Sequence, residues 1–311
     1  MARGLPTDGV EMMQPPTSTA PAQPSWLDEG LYPFESRYLT LDGHRIHYID
    51  EGSGPVLLFL HAVPLWSFQY RSIIKGLRDR FRCIALDYPG FGLSTPAPGY
   101  RGTLLGNSQL VERFIRELGL SDVTLVGHDS SCAIGLGVVG RNPGWFRGLV
   151  LSNGFAWPLD EYPGIYRALK LVGSPPAGFL IVHANILIRL TVKVLRDGKL
   201  MPAERAAYTG PFAERGRRHH QHDMFRSITR SSAYLNDVQE RLRALGDMPV
   251  LLLFADNDST YKAGFLTRYE RMFPRHRSVI IAGGGHIPQE YAPEQMAAAI
   301  KDWWDAAAAR G

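Results

Sequence analysis

Five short stretches of this chain are apolar almost throughout: VLLFLH (56–61), RCIALD (82–87), VTLVGH (123–128), RGLVLSN (147–153) and PVLLLFAD (249–256). None alternates polar with apolar residues, as a strand with one face in water would, so each fits a strand covered on both faces of a parallel sheet. The segments between them, including SFQYRSIIKGL, SQLVERFIRELGL and CAIGLGVVGRN, carry apolar residues at helical spacing. A βαβα alternation with right-handed crossovers is the expected result. With 311 residues, 45% of them apolar, the chain has material for one large core.

Upstream, RYLTLDG and HRIHYIDEG alternate in period two and predict an antiparallel hairpin on a sheet edge. The alternation then stops near Phe155 and resumes at PVLLLFAD, followed by a helix around FLTRYERMF, the strand SVIIAGG and a last helix EQMAAAIKDWWDAAAA. The fold class predicted is α/β, a mostly parallel sheet flanked by helices, with a helical cap inserted after the sixth strand. Residues 29–154 and 246–311 form the core, 155–245 the cap, and 1–28, rich in Pro, Thr and Gln, a disordered tail.

Composition narrows the partners. The formal charge of +4 is dispersed instead of gathered into a basic stripe, which speaks against nucleic acid. Cys83 and Cys132 have no CxxC partner, so no zinc site or disulfide framework is expected. The amino terminus has no apolar core of a signal peptide, and a reducing, cytoplasmic location follows as an expectation. The most apolar run, GFLIVHANILI (178–188), is too short to cross a bilayer; it predicts a cap helix packed in the interior, with membrane contact as the alternative and no stable membrane insertion. The cluster His219, His220 and His222 lacks the spacing of helix-borne metal ligands and predicts a solvated loop; no metal and no cofactor are expected.

The chemistry gathers at strand ends. VTLVGHDSSCAIGL places Gly127-His128-Asp129-Ser130-Ser131 between a strand and a helix, matching the small-x-nucleophile-x-small frame of a nucleophile elbow. In that frame Asp129 is the nucleophile; a Ser130 nucleophile would put His128 at a position that must be small, and a Ser131 nucleophile would put Asp129 there. An ordinary connection with Asp129 as helix N-cap is the plain alternative. FADNDST puts Asp258 past a buried strand, with Asp256 as a weaker candidate, and AGGGHIPQE puts His286 past the last strand. This is the order nucleophile, acid, histidine. His61-Ala62-Val63-Pro64 follows the strand at 56–61, where backbone N–H groups of Val63 and Ser130 are predicted to form an oxyanion hole.

HAVPLWSFQYR, LDYPGFGLS, VGHD, YTGPF, ADND and GGGHIPQEYAPE together resemble the haloalkane dehalogenase branch of the α/β-hydrolases over residues 30–308. The resemblance implies a hydrolase in which the Asp129 carboxylate attacks an sp³ carbon, His286 activates the water that hydrolyses the resulting ester, and Asp258 orients His286. It further implies a small apolar substrate, with His61, Trp157 and Tyr208 as candidate pocket residues. Asn153 stands at an alternative acid position of that branch and is not an acid. Two departures matter: the branch grips its halide with an Asn amide and a Trp indole N–H, and here those positions hold Val63 and Ser130. At about 1.5–3 kcal/mol per hydrogen bond to a charged group, losing both slows halide departure by several orders of magnitude unless other donors, such as the Ser130 hydroxyl or Trp157, replace them. An epoxide hydrolase, using proton donors among Tyr162, Tyr166, Tyr208 and Tyr234, is the second reading, and a non-catalytic binding protein the third. Oligomeric state is not readable from the sequence.

Overall fold

The computed structural model describes residues 22–308. Eight strands, β1 (Arg37–Leu41), β2 (His44–Glu51), β3 (Val56–Leu60), β4 (Arg82–Leu86), β5 (Val123–His128), β6 (Phe146–Ser152), β7 (Val250–Ala255) and β8 (His276–Ile281), form one sheet in the order β1-β2-β4-β3-β5-β6-β7-β8. β1 and β2 are the antiparallel edge hairpin, β2 also runs antiparallel to β4, and the remaining pairs are parallel. All residues of β5 and β7 are buried, as expected of strands sandwiched between helices.

The helices α1 (Arg71–Leu77), α2 (Leu104–Glu117) and α3 (Ser130–Arg141) fill the crossovers of the first half. Between β6 and β7 there are helices only: α4 (Pro163–Val172), α5 (Pro175–Ala184), α6 (Ile186–Val194), α7 (Pro202–Thr209), α8 (His219–Ile228) and α9 (Ser232–Leu242), joined by turns and short 3-10 segments. After β7 come α10 (Ser259–Lys262) and α11 (Phe265–Met272), and after β8 α12 (Pro288–Tyr291) and α13 (Pro293–Ala308).

Three expectations need correction. The tail was expected to extend to residue 28, but Leu27 is buried and the Trp26 ring packs edge-on against Trp66 at 5.9 Å; two large apolar side chains find cover and anchor the segment. Residues 1–21 lie outside the described part. The run 178–188 is neither one helix nor interior: Asn185, left-handed at φ 53°, separates α5 from α6, and Phe179 and Leu180 are exposed. No single helix among the described residues is long and apolar enough to cross a membrane. The histidine cluster is no solvated loop either: it opens α8, where His220 is buried beneath Gly90 and Tyr100.

Candidate active site

Each candidate catalytic side chain sits just beyond the carboxyl end of a parallel strand: Asp129 after β5, Asp258 after β7 and His286 after β8. Asp129 has φ 53° and ψ −129°, a conformation that costs a non-glycine residue and persists only where the surroundings impose it. Here the surroundings do so. The Asp129 N–H donates to the Ser152 carbonyl (3.2 Å), its carbonyl accepts from Cys132 N–H (3.0 Å), and Ser131 Oγ accepts from His128 N–H (2.8 Å) while lying 2.7 Å from the Leu60 and His128 carbonyls. A Cβ on Gly127 would stand 3.4 Å from Cys132 Cα, an ordinary van der Waals contact, so the first small position of the frame has room for a methyl group. Gly154, not singled out from the sequence, is under more pressure: a Cβ there would fall 2.7 Å from the Asp129 carbonyl and 2.4 Å from Cys132 Sγ.

His286 Nδ1–H donates to Asp258 Oδ2 at 2.6 Å, and His286 Nε2 lies 3.7 Å from Asp129 Oδ1. Burial opposes a charge on the imidazole, yet the hydrogen bond to Asp258 and the charges of Asp258 and Asp129 outweigh it and raise its pKa to about 9. For Asp258 burial alone would raise the pKa; His286 and the Thr260 hydroxyl and amide, both hydrogen-bonded to Oδ1, bring it down to about 2. Burial raises the pKa of Asp129, only partly offset by His286 and Ser130. Asp256, the weaker acid candidate, accepts from Gly283 N–H (2.8 Å) and shapes the loop after β8 instead.

Asn153 holds the histidine loop in place. Its Nδ2 donates to the His286 carbonyl (2.9 Å) and its Oδ1 accepts from Ala255 N–H (3.0 Å), tying the ends of β6, β7 and β8 together. Gln69 does the same for the loop after β3 by accepting from Ala62 N–H (2.9 Å). No periodicity in the sequence marks Gln69, and Thr260 was legible only as the residue two after an Asx cap.

Asp129 and His286 open into a cavity of about 710 Å³, a size suited to small organic ligands. Val63, Pro64 and Leu65 line it from the loop after β3, Ile165 and Leu169 from α4, Val194 and Leu195 from the end of α6 onward, Phe225 and Ile228 from α8, and Phe155, Phe265 and Ile287 from the core. The Val63 N–H has no hydrogen-bond acceptor among the described residues, and the Ser130 N–H, first in α3, has no intrahelical one. The Ser130 hydroxyl is buried without a partner.

The three pocket candidates lie elsewhere. His61 is buried with Nδ1–H donating to Ala62 O (2.9 Å) and Nε2 accepting from Tyr88 N–H (3.0 Å), so both ring nitrogens are spent on bracing two loops. Trp157 is buried between Phe265, Tyr269 and the Arg268 guanidinium. Tyr208 donates to Glu290 (2.5 Å) within a buried network that joins Arg71 to Glu204 and Glu290. Of the other tyrosines, Tyr234 donates to the Ala133 carbonyl and Tyr162 accepts from Arg268; none of the four lines the cavity, whereas Tyr291 does. His219, His220 and Asp223 could offer three ligand atoms within 4.8 Å, but Asp223 is paired with Arg101, and Arg217 and Arg101 add positive charge beside His220, an environment hostile to a cation.

The profile of the α/β-hydrolase fold family matches residues 55–293, and the chain belongs to that family. A relative named haloalkane dehalogenase 2, from Mycobacterium tuberculosis, is 34% identical over 275 residues, 88% of this chain and 96% of its own. A cis-3-alkyl-4-alkyloxetan-2-one decarboxylase of Shewanella oneidensis is 28% identical, over 87% of this chain and 88% of its own. The haloalkane dehalogenase structure from Agrobacterium tumefaciens C58 shares the fold, with a TM-score of 0.81 at 23% identity over 90% of this chain and 99% of that one. Within the family, this chain is a haloalkane dehalogenase-like hydrolase.

Proposed function

We propose that Asp129, His286 and Asp258 hydrolyse a small apolar electrophile, a haloalkane or a related compound, through an ester on Asp129. The observation that carries this reading is the line Asp258–His286–Asp129, with 2.6 Å and 3.7 Å separations, opening into an apolar cavity. A carboxylate oxygen of Asp129 displaces the leaving group from an sp³ carbon, and the leaving group departs with the bonding electrons. Esterification removes the negative charge that helps keep His286 protonated. The imidazole can then lose its proton and act as a base. Nε2 takes a proton from water, the hydroxide attacks the Asp129 acyl carbon, the Val63 and Ser130 amides hold the oxyanion, and the alcohol leaves with the proton from His286. Asp258 keeps the imidazole in the Nδ1–H tautomer throughout.

Helices α4–α9, within residues 155–245, serve as the cap, and α4, α6 and α8 close one side of the cavity with apolar side chains. Two buried free thiols, Cys83 and Cys132, support a reducing, cytoplasmic setting.

Replacing His286 with Phe should stop the second half-reaction and leave a covalent adduct on Asp129, read by intact mass after exposure to haloalkanes and epoxides. The Asp129→Asn variant should add nothing. If the folded His286→Phe protein gains mass from neither panel, the ester route is wrong and a non-catalytic binding protein becomes the better account. For the epoxide reading none of the four candidate tyrosines lines the cavity, and Tyr291 is the tyrosine that does. A strained cyclic ester with alkyl arms, the substrate type named for the Shewanella relative, has more in its favour as a second reading: Val63 offers no side-chain donor to a departing halide, and an oxetanone in the panel tests it.

A further inference from the structure

Six of the eight large apolar side chains exposed among the described residues fall between residues 171 and 201: Leu171, Phe179, Leu180, Leu190, Val194 and Met201. They project from α4, α5 and α6 and from the first residue before α7, helices that pack on one another in sequence. Such a concentration is unusual on a protein surface in water, where exposed apolar residues are scattered singly. The same stretch is strongly cationic. Residues 163–203 contain Arg167, Lys170, Arg189, Lys193, Arg196 and Lys199 against one acid, Asp197. Arg196 is paired with Glu204; the other five have no carboxylate within ion-pairing distance among the described residues.

We infer that the α4–α6 face of this protein docks reversibly on an anionic lipid bilayer, with Phe179, Leu180 and Leu190 entering the interface and the neighbouring lysines and arginines meeting lipid headgroups. Apolar side chains beside unpaired cations are what an interfacial helix needs, because hydrophobic burial and attraction to a negative surface add. No single helix of this face is long enough to span. α5 has ten residues and α6 nine, each about 15 Å at 1.5 Å per residue, and the two axes are bent by 80°.

The face also has a position that suits a purpose. Val194 is 68% exposed and at the same time lines the cavity, as do Gly164, Ile165 and Ala168 of α4 and Thr191 of α6. The helices that would rest on the lipid therefore form the rim of the pocket. An apolar substrate dissolved in the bilayer could reach Asp129 along an apolar path.

Flotation of the full chain with lipid vesicles tests this without any substrate. Vesicles of phosphatidylcholine with roughly one-third phosphatidylglycerol are compared with phosphatidylcholine alone, at low and at physiological ionic strength. Binding to the anionic vesicles that weakens with salt is expected, and little binding to the neutral ones. Phe179→Ser/Leu180→Ser should weaken it at least about tenfold, and Lys170→Glu/Lys193→Glu should erase the preference for anionic lipid, both variants keeping the circular dichroism spectrum of the parent. The proposal is overturned if the parent ignores the vesicles, or if the folded double variants bind as it does. It is equally overturned if light scattering finds a dimer that Phe179→Ser/Leu180→Ser splits while vesicle binding is absent, because a second copy would then cover the face.

Discussion

With its imidazole between two carboxylates, His286 is held as a cation that the reaction itself must release. The pH dependence follows from the shifts. A histidine raised to about 9 in the folded state stabilises the fold fully below its ordinary value near 6.5 and loses that contribution as pH rises through 9. Asp258, depressed to about 2, stabilises above its ordinary 3.8 and loses its share as pH falls through 2. An NMR titration should therefore find the His286 ring still protonated at neutral pH, and Asp258→Asn should move its midpoint downward; an unchanged midpoint would break the electrostatic account. Ser130→Ala removes the one side-chain donor left at the two departed halide-grip positions, and should lower halide release by about 10- to 100-fold, the worth of one hydrogen bond to an anion, with ester hydrolysis less affected. At this scale Asp129, Asp258 and His286 were legible because their positions are set by local order along the chain, a strand followed at once by a tight turn. His61, Trp157 and Tyr208 were misplaced because an aromatic or polar residue near a site in sequence can turn either way, and here each turned inward to satisfy a buried partner.

The elbow is where an element pays for geometry. β5 must hand over to α3 within a residue, and the strain at Asp129 is kept in place by its backbone hydrogen bonds to Ser152 and Cys132 and by the close approach of the chain at Gly154. Gly154→Ala puts a methyl into the Asp129 carbonyl and Cys132, and should cost about 1–3 kcal/mol as overpacking, measured by urea unfolding, with a loss of ester formation larger than the fraction unfolded explains. Strands and crossover helices were readable from apolar runs and helical spacing, since burial on both faces leaves no other pattern. The α5–α6 run was misread for the complementary reason. Hydrophobicity says that a segment avoids water, not what covers it, and here the core offers α5 cover only at Gly178 and Ile181.

Across the whole molecule, the inserted helices are bolted to the catalytic side by a buried cluster. Arg71 of α1 bonds Glu204 of α7 and Glu290 of α12, and Tyr208 donates to the same Glu290. α12 begins two residues after His286, so the cluster fixes the cap and the histidine loop in one frame. Arg71→Leu would leave Glu290 buried without its counter-charge and Glu204 with Arg196 alone, a loss of about 3–5 kcal/mol; thermal unfolding should report it, and limited proteolysis should cut first between α6 and α7. The sequence held no sign of this cluster, because the hydrogen-bonded partners are more than 80 residues apart in every pairing.

The cavity takes its reacting groups from the ends of β5 and β8 and one side of its wall from α4, α6 and α8. Substitutions in those helices can reshape what is admitted while leaving the bond-making apparatus untouched. Selectivity and turnover can thus drift separately in descendants of this chain, and a library confined to the inserted helices is the economical place to look for new substrates.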